Sequence, residues 1–302
     1  MKEGFDGPVS HKLLTCNKLK QMAKTPNTTP LPDYDNPPVI EVILGVQFER
    51  LGTFKSAHLG AFWKVLGQDW PTISDAVPLQ PQFERFDESA KWGNVGAKLT
   101  LVSETPLRLQ IKNQQADQMV QVQNGRFHFN WLGETGGQYP RFRKVRERFE
   151  WALRKFVEFV RLENLGTIKP NQWEVTYLNH IPQGTVWNTP NDWGFFRPLT
   201  GLPTIEGLIE GESFGGEWHF VIPEKRGRLH VNWQHGITSE PAVRELVVVN
   251  LTARGALDKA DADIVPTVSA GLDLGHETIV RSFAKLMSSE ANKYWGLKHA
   301  GN

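Results

Sequence analysis

Two seven-residue stretches carry the side chains best suited to chemistry: Gly125-Arg126-Phe127-His128-Phe129-Asn130-Trp131 and Gly227-Arg228-Leu229-His230-Val231-Asn232-Trp233. Five of the seven positions are identical. On a strand, successive side chains point to opposite faces. Arg126, His128 and Asn130 therefore share one face, and Arg228, His230 and Asn232 share the matching face of the second copy. Arg offers a bidentate donor to an anion, His titrates near neutral pH, and Asn both donates and accepts. These six residues are the candidate ligand-binding surface, suited to an anionic or planar ligand. A polar strand face is more often a solvated sheet surface stitched by cross-strand hydrogen bonds. The residues leave both readings open.

Three other groups invite a chemical reading. His219 and His230 fall on neighbouring strands of one expected hairpin, with His235 and Glu217 nearby, which is the raw material of a zinc site. Positions 230 and 235 differ by an odd number, so a straight strand turns them to opposite faces, and no metal-ligand spacing motif accompanies them. We expect no metal and no cofactor. Residues 139–163 hold eight Arg or Lys against four Glu. Arg141, Lys144, Arg148 and Lys155 are the candidate nucleic-acid contacts on that stretch. The bland alternative is a solvated helix face laced with pairs such as Glu150–Arg154. No nucleophile elbow, phosphate loop or dinucleotide fingerprint occurs, so no catalytic residue is assigned. An enzyme of unrecognised type would centre on His128, His180, His219 or His230. His276 reads as a core or capping residue.

These side chains need strands and helices to position them. Val39 to Phe48 alternates, with Ile40, Val42, Leu44, Val46 and Phe48 on one face. A helix is expected over 56–68, capped by Ser56. Short strands follow at 82–87, 95–102, 107–112, 118–123 and 126–131, the last two joined by Asn124-Gly125 as a hairpin. A long helix over 139–163 buries Phe142, Val145, Phe149, Leu153, Phe156 and Val160. The pattern restarts with strands at 173–181, 205–213, 216–222, 228–234 and 244–253, then a helix over 274–287 capped by Asp273. The fold class is thus α+β. It is read as two similar halves, 37–168 and 169–302, behind an extended tail (1–36), each an antiparallel sheet with a long helix. The repeated motif supports internal duplication. The element order is similar to the duplicated TATA-binding-protein saddle and to helix-grip folds, an analogy that carries no function.

Composition bounds the rest. The 302 residues contain one cysteine, Cys16, so no disulfide framework exists within the chain. Residues 183–302 carry 11 basic and 14 acidic groups, so no uniformly basic surface spans the molecule. No apolar run reaches the ~20 residues of a membrane helix, and the first 21 residues have no apolar core of the secretory type. We expect a cytoplasmic protein without membrane contact.

The stretch Pro37-Pro38-Val39-Ile40-Glu41-Val42-Ile43-Leu44-Gly45-Val46-Gln47-Phe48 resembles the opening of a sporadically distributed family of uncharacterised bacterial proteins. His58-Leu59-Gly60, Val175-Thr176-Tyr177-Leu178-Asn179-His180-Ile181, and His276 through Phe283 to Trp295-Gly296 extend the likeness across residues 36–296. That resemblance implies a bacterial source and patchy inheritance, and it supplies no catalytic residue. Patchy inheritance fits an accessory, mobile-element or defence-type role. The expectation is a non-enzymatic binding or interaction protein with a protein partner, the partner being encoded nearby. The alternatives are a nucleic-acid-binding module and an unrecognised enzyme.

Overall fold

The computed structural model describes residues 29–86, 107–133, 138–200, 212–238, 243–257 and 263–298. Among the described residues nine strands form one sheet, and each of their pairings is antiparallel. They are β1 (Val39–Phe48), β2 (Thr72–Ala76), β3 (Arg108–Lys112), β4 (Gln118–Gln123), β5 (Arg126–Leu132), β6 (Pro170–Pro182), β7 (Gly215–Ile222), β8 (Gly227–Thr238) and β9 (Arg244–Ala256). Their order is β2-β3-β4-β5-β1-β6-β9-β8-β7. The helices are α1 (Ser56–Leu66), α2 (Phe142–Leu162), α3 (Ile264–Leu286) and the short α4 (Ser289–Tyr294). Both series therefore share one continuous sheet, joined where β1 pairs β6.

The core lies between one face of this sheet and the helices. Val42, Leu44 and Val46 of β1 are fully buried, as are Phe127 and Val175. The stripe read for the long helix is buried at every position from Phe142 to Val160. Its Phe156 packs at 5.2 Å on both Phe127 of β5 and Phe62 of α1. α3 covers β6 and β9. Its Gly271 and Gly275 lie directly on Trp173, where an added Cβ would come within 2.4 and 2.8 Å of the indole. The absent side chains let the helix approach the sheet.

Several expected boundaries move, each for a physical reason. α3 begins ten residues earlier than read, at Ile264. Its cap is Asp263, which accepts from Val265 N at 3.0 Å, and not Asp273. Pro266 is accommodated in the first turn, where a helix has no use for that amide. Ser56 is the first helical residue and not a cap; His58 Nδ1 instead accepts the Lys55 amide at 2.8 Å. β2, at Thr72–Ala76, falls where no strand is expected. Conversely, residues 82–86 of the expected strand 82–87 form no strand. Residue 87, the expected strand 95–102, and residues 205–211 of the strand expected at 205–213 lie outside the described residues. Among the described residues no helix is long and apolar enough to cross a membrane.

The two motif copies take different places in this sheet. β5 lies beside the central β1, whereas β8 is separated from the central β6 by β9. The first copy is flanked by β4 and β1, the second by β7 and β9.

Candidate functional site, a strapped polar sheet face

The sheet face turned away from the helices is polar, and the Arg-His-Asn faces of both motifs lie on it. The first copy is sealed. Arg126, His128 and Asn130 are buried. Arg126 Nε and NH2 donate to Gln47 Oε1 at 3.4 and 3.0 Å. Asn130 Nδ2 donates to Glu41 Oε1 at 2.5 Å, and its carbonyl accepts from Gln121 Nε2 at 2.9 Å. His128 lies over Gly45, where an added Cβ would be 2.7 Å from the ring. Burial is the main cause that pushes its pKa down to about 4, and the charges of Arg126 and Arg108 add to this against the pull of Glu174. His128 is therefore a neutral, packed ring at pH 7.

In the second copy, Arg228 is buried, His230 half-buried and Asn232 exposed. Arg228 and His230 close on a residue that sequence reasoning did not single out, Glu84. Its side chain is 4% exposed. Arg228 NH1 pairs with Glu84 Oε2, His230 Nε2 lies 2.7 Å from Glu84 Oε1, and Arg254 Nε donates to that same oxygen at 3.2 Å. Burial raises the pKa of this carboxyl. The hydrogen bond and charge of His230, with the charges of Arg254 and Arg228, outweigh burial and hold it down at about 2. Such a carboxylate stays ionised and is a poor proton acceptor. On its other side, His230 Nδ1 lies 2.8 Å from His219 Nδ1. Arg254 also approaches His230, its guanidinium nitrogen lying 3.1 Å from His230 Nε2.

Glu84 arrives on a strap, residues 77–86, that runs across the strands. Three glutamines, one each from β4, β1 and β6, bind its main chain. Gln123 Oε1 accepts from Leu79 N and its Nε2 donates to Leu79 O, both at 2.8 Å. Gln47 Oε1 accepts from Gln82 N at 3.0 Å. Gln172 Nε2 donates to Gln82 O at 2.6 Å while its Oε1 accepts from Glu84 N at 3.1 Å. A primary amide carries the donor and acceptor of a peptide group, so a row of Gln side chains can hold an extended backbone as a neighbouring strand does. Register explains the row: Gln123 and Gln47 both face Arg126, and Gln47 faces Gln172. Beyond it, Arg228 NH2 donates to Arg85 O at 3.2 Å, and its guanidinium sits 4.7 Å from the Phe86 ring.

The remaining candidates separate. Among the described residues no group of three or more His, Cys, Asp or Glu is placed to hold a metal ion. His235 stacks on Phe214 and packs edge-on to Trp187, apart from His219 and His230. On α2, Arg141 turns to the lead-in chain, where it pairs with Asp33 at 2.9 Å. Lys144 is exposed. Arg148 and Lys155 flank Trp151, 4.6 and 5.2 Å from its ring. Neighbouring cations are paired: Arg146 with Asp273 at 2.6 Å, Arg161 with Glu158 at 2.6 Å, and Arg154 with Glu150 at 3.8 Å. A search of protein-family models, of curated proteins and of solved structures finds no match to the chain.

Proposed function

We propose that this chain is a non-enzymatic binding protein, a component of an accessory, defence-type bacterial system, whose polar sheet face receives an extended acidic segment of a protein partner. The strap is the resident occupant of that face, and a partner segment displaces it. The observation that carries this reading is the Glu84 carboxylate, held by Arg228, His230 and Arg254 at the end of a row of backbone-reading glutamines. Side-chain amides read a main chain without regard to its sequence, and the Arg-His-Arg cradle then selects a carboxylate. The outward order of the two sheet halves also supports a duplicated β-α-β(n)-α unit, similar in order to the TATA-binding-protein saddle.

The test uses a fluorescein-labelled peptide with the sequence of residues 77–86. We expect weak binding to the wild-type chain, whose own strap competes, and tight binding to a Gln82→Ala/Glu84→Ala variant. Arg228→Ala added to that variant should abolish binding. No binding to the strap-released variant, folded by near-UV circular dichroism, would sink the proposal.

A nucleic-acid-binding role is the second reading, favoured by Arg148 and Lys155 about the Trp151 ring with Lys144 one turn away. It requires affinity for single- or double-stranded nucleic acid that falls steeply with salt. Salt-independent or absent binding removes it.

A further inference from the structure

A second place on the molecule has the make-up of a ligand site and owes nothing to the strap. It lies at the opposite side of the sheet, where the lead-in chain crosses between the start of α2 and the middle of α3. A cavity of about 200 Å³ opens there. Its walls are apolar and flat: Pro37, Phe142, Ile279, Val280 and Phe283, with Tyr34 edge-on to Phe283 at 5.8 Å. Its polar side is a chain of three side chains, from the connection before α2, from β6 and from α3. Tyr139 Oη lies 2.9 Å from Tyr177 Oη, which lies 2.8 Å from His276 Nδ1. Phe142 stacks flat on His276, with ring centroids 3.9 Å apart.

The chain can point either way. With Nδ1 of His276 accepting, Tyr177 donates to it, Tyr139 donates to Tyr177, and the Tyr139 oxygen is left to accept. With Nδ1 donating, both hydroxyls reverse and Tyr139 donates onward. The end of the chain thus answers a hydroxyl, a ring N–H or a carbonyl equally well. None of the three groups carries charge near neutral pH. Burial, aided by the charge of Arg146, pushes the His276 pKa down to about 4, and burial pushes both phenols up. The charges at the rim are already engaged. Arg141 pairs with Asp33 and donates to Tyr34 O at 2.8 Å. Its backbone has φ 75 and ψ 151, a conformation otherwise left to glycine. Backbone bonds from Asp35 N to Gly296 O and from Asn36 N to Trp295 O, both 3.1 Å, hold the other side of the lead-in.

We propose that this cavity binds a small neutral aromatic molecule, one ring bearing a hydroxyl or ring N–H, stacked among Phe142, Tyr34 and Phe283 and hydrogen-bonded to Tyr139. Size sets the single ring, since the volume falls below the ~300–1,000 Å³ of drug-sized pockets. Neutrality follows from the uncharged floor, because a buried ion here would lose its hydration without a counter-charge.

The probe is 4-fluorophenol, followed by ¹⁹F line width on the full-length protein. We expect saturable broadening and intermolecular NOEs from the ring to the Ile279 and Val280 methyls. 4-Fluorobenzoate should bind at least about tenfold more weakly for want of a counter-charge. Tyr139→Phe keeps the ring, removes the end hydroxyl and should weaken 4-fluorophenol about three- to tenfold. Val280→Trp fills the space and should abolish binding. The proposal is overturned by any of three results: no saturable broadening, fluorobenzoate binding as well as fluorophenol, or folded variants that both bind like the wild type. Should a variant fail to fold, the NOEs on the wild-type chain decide. Saturable binding without contacts to Ile279 and Val280 places the ligand elsewhere and ends the proposal.

Discussion

Glu84→Gln keeps the shape of the strap residue and removes its charge. The wild-type carboxyl is held at about 2 against an ordinary 4.5. At 1.36 kcal/mol per unit, the cradle favours the ionised form by about 3 kcal/mol. The variant forfeits that sum and leaves Arg228 and Arg254 facing an amide in a nearly dry site. The molecule has a cheaper response than global unfolding, because the strap can lift and let both guanidinium groups reach water. Global stability should therefore fall by at most about 3 kcal/mol, and by less if strap docking is itself worth less. Strap opening is read by trypsin at Arg85, which is exposed on the strap. Where cleavage follows the opening equilibrium, about 3 kcal/mol is roughly a hundredfold faster cut. Acid should reproduce the effect in the wild type. A carboxyl with a depressed pKa contributes fully above 4.5 and loses its contribution as pH falls through about 2. An acid-active protease such as pepsin, cutting at the strap, should show the wild type opening across that window and the variant indifferent to it. If Glu84→Gln is cut at Arg85 at the wild-type rate at pH 7 and its urea midpoint is unmoved, the cradle does not hold the strap and the reasoning fails.

Other perturbations test the packing around both sites. His128 and His276 are each depressed to about 4 from 6.5. The unfolded chain thus binds more protons than the folded one between those values, and stability should fall as pH drops from 6.5 to 4, by about 3 kcal/mol per histidine. Urea unfolding across that range should give a slope near two protons about pH 5, halved by His276→Asn; a flat profile refutes the buried neutral state. Gly271→Ala drives a methyl to 2.4 Å from the Trp173 ring, and its melting temperature should drop in line with about 1–3 kcal/mol of overpacking. Gly60→Ala on α1 meets nothing within 4 Å and should instead stabilise by up to about 1 kcal/mol. Equal melting temperatures for those two variants would contradict the described contact between α3 and β6.

Much of the architecture was legible because local periodicity follows burial on one face. β1, β4, β5 and α2 appear within a few residues of their expected limits, and every apolar position named on α2 is buried. Elements with mixed signals were misread. Pro266 and Gly271 hide the first ten residues of α3, because the helix uses glycine there for contact with Trp173, 98 residues away. Residues 82–86 alternate like a strand, yet they cross strands at the level of Gln47 and Gln172 and bond to side chains. Nothing local separates an extended segment that pairs with backbone from one that pairs with glutamines.

The candidate sites divide along the same line. The Arg-x-His-x-Asn spacing by itself determines that three polar side chains share a strand face, since the two-residue period of a strand is fixed by backbone geometry. It could not determine that the first face is sealed by Gln47, Gln121 and Glu41 while the second is closed by Glu84. Those partners lie 9 to 146 residues away, and only the packing of one sheet selects them. The Tyr139–Tyr177–His276 chain is the extreme case. Three ordinary residues, one on the connection before α2, one on β6 and one on α3, become a connected polar row because these segments converge beneath the lead-in chain. Periodicity decides which way a side chain points; long-range packing alone decides what it meets there.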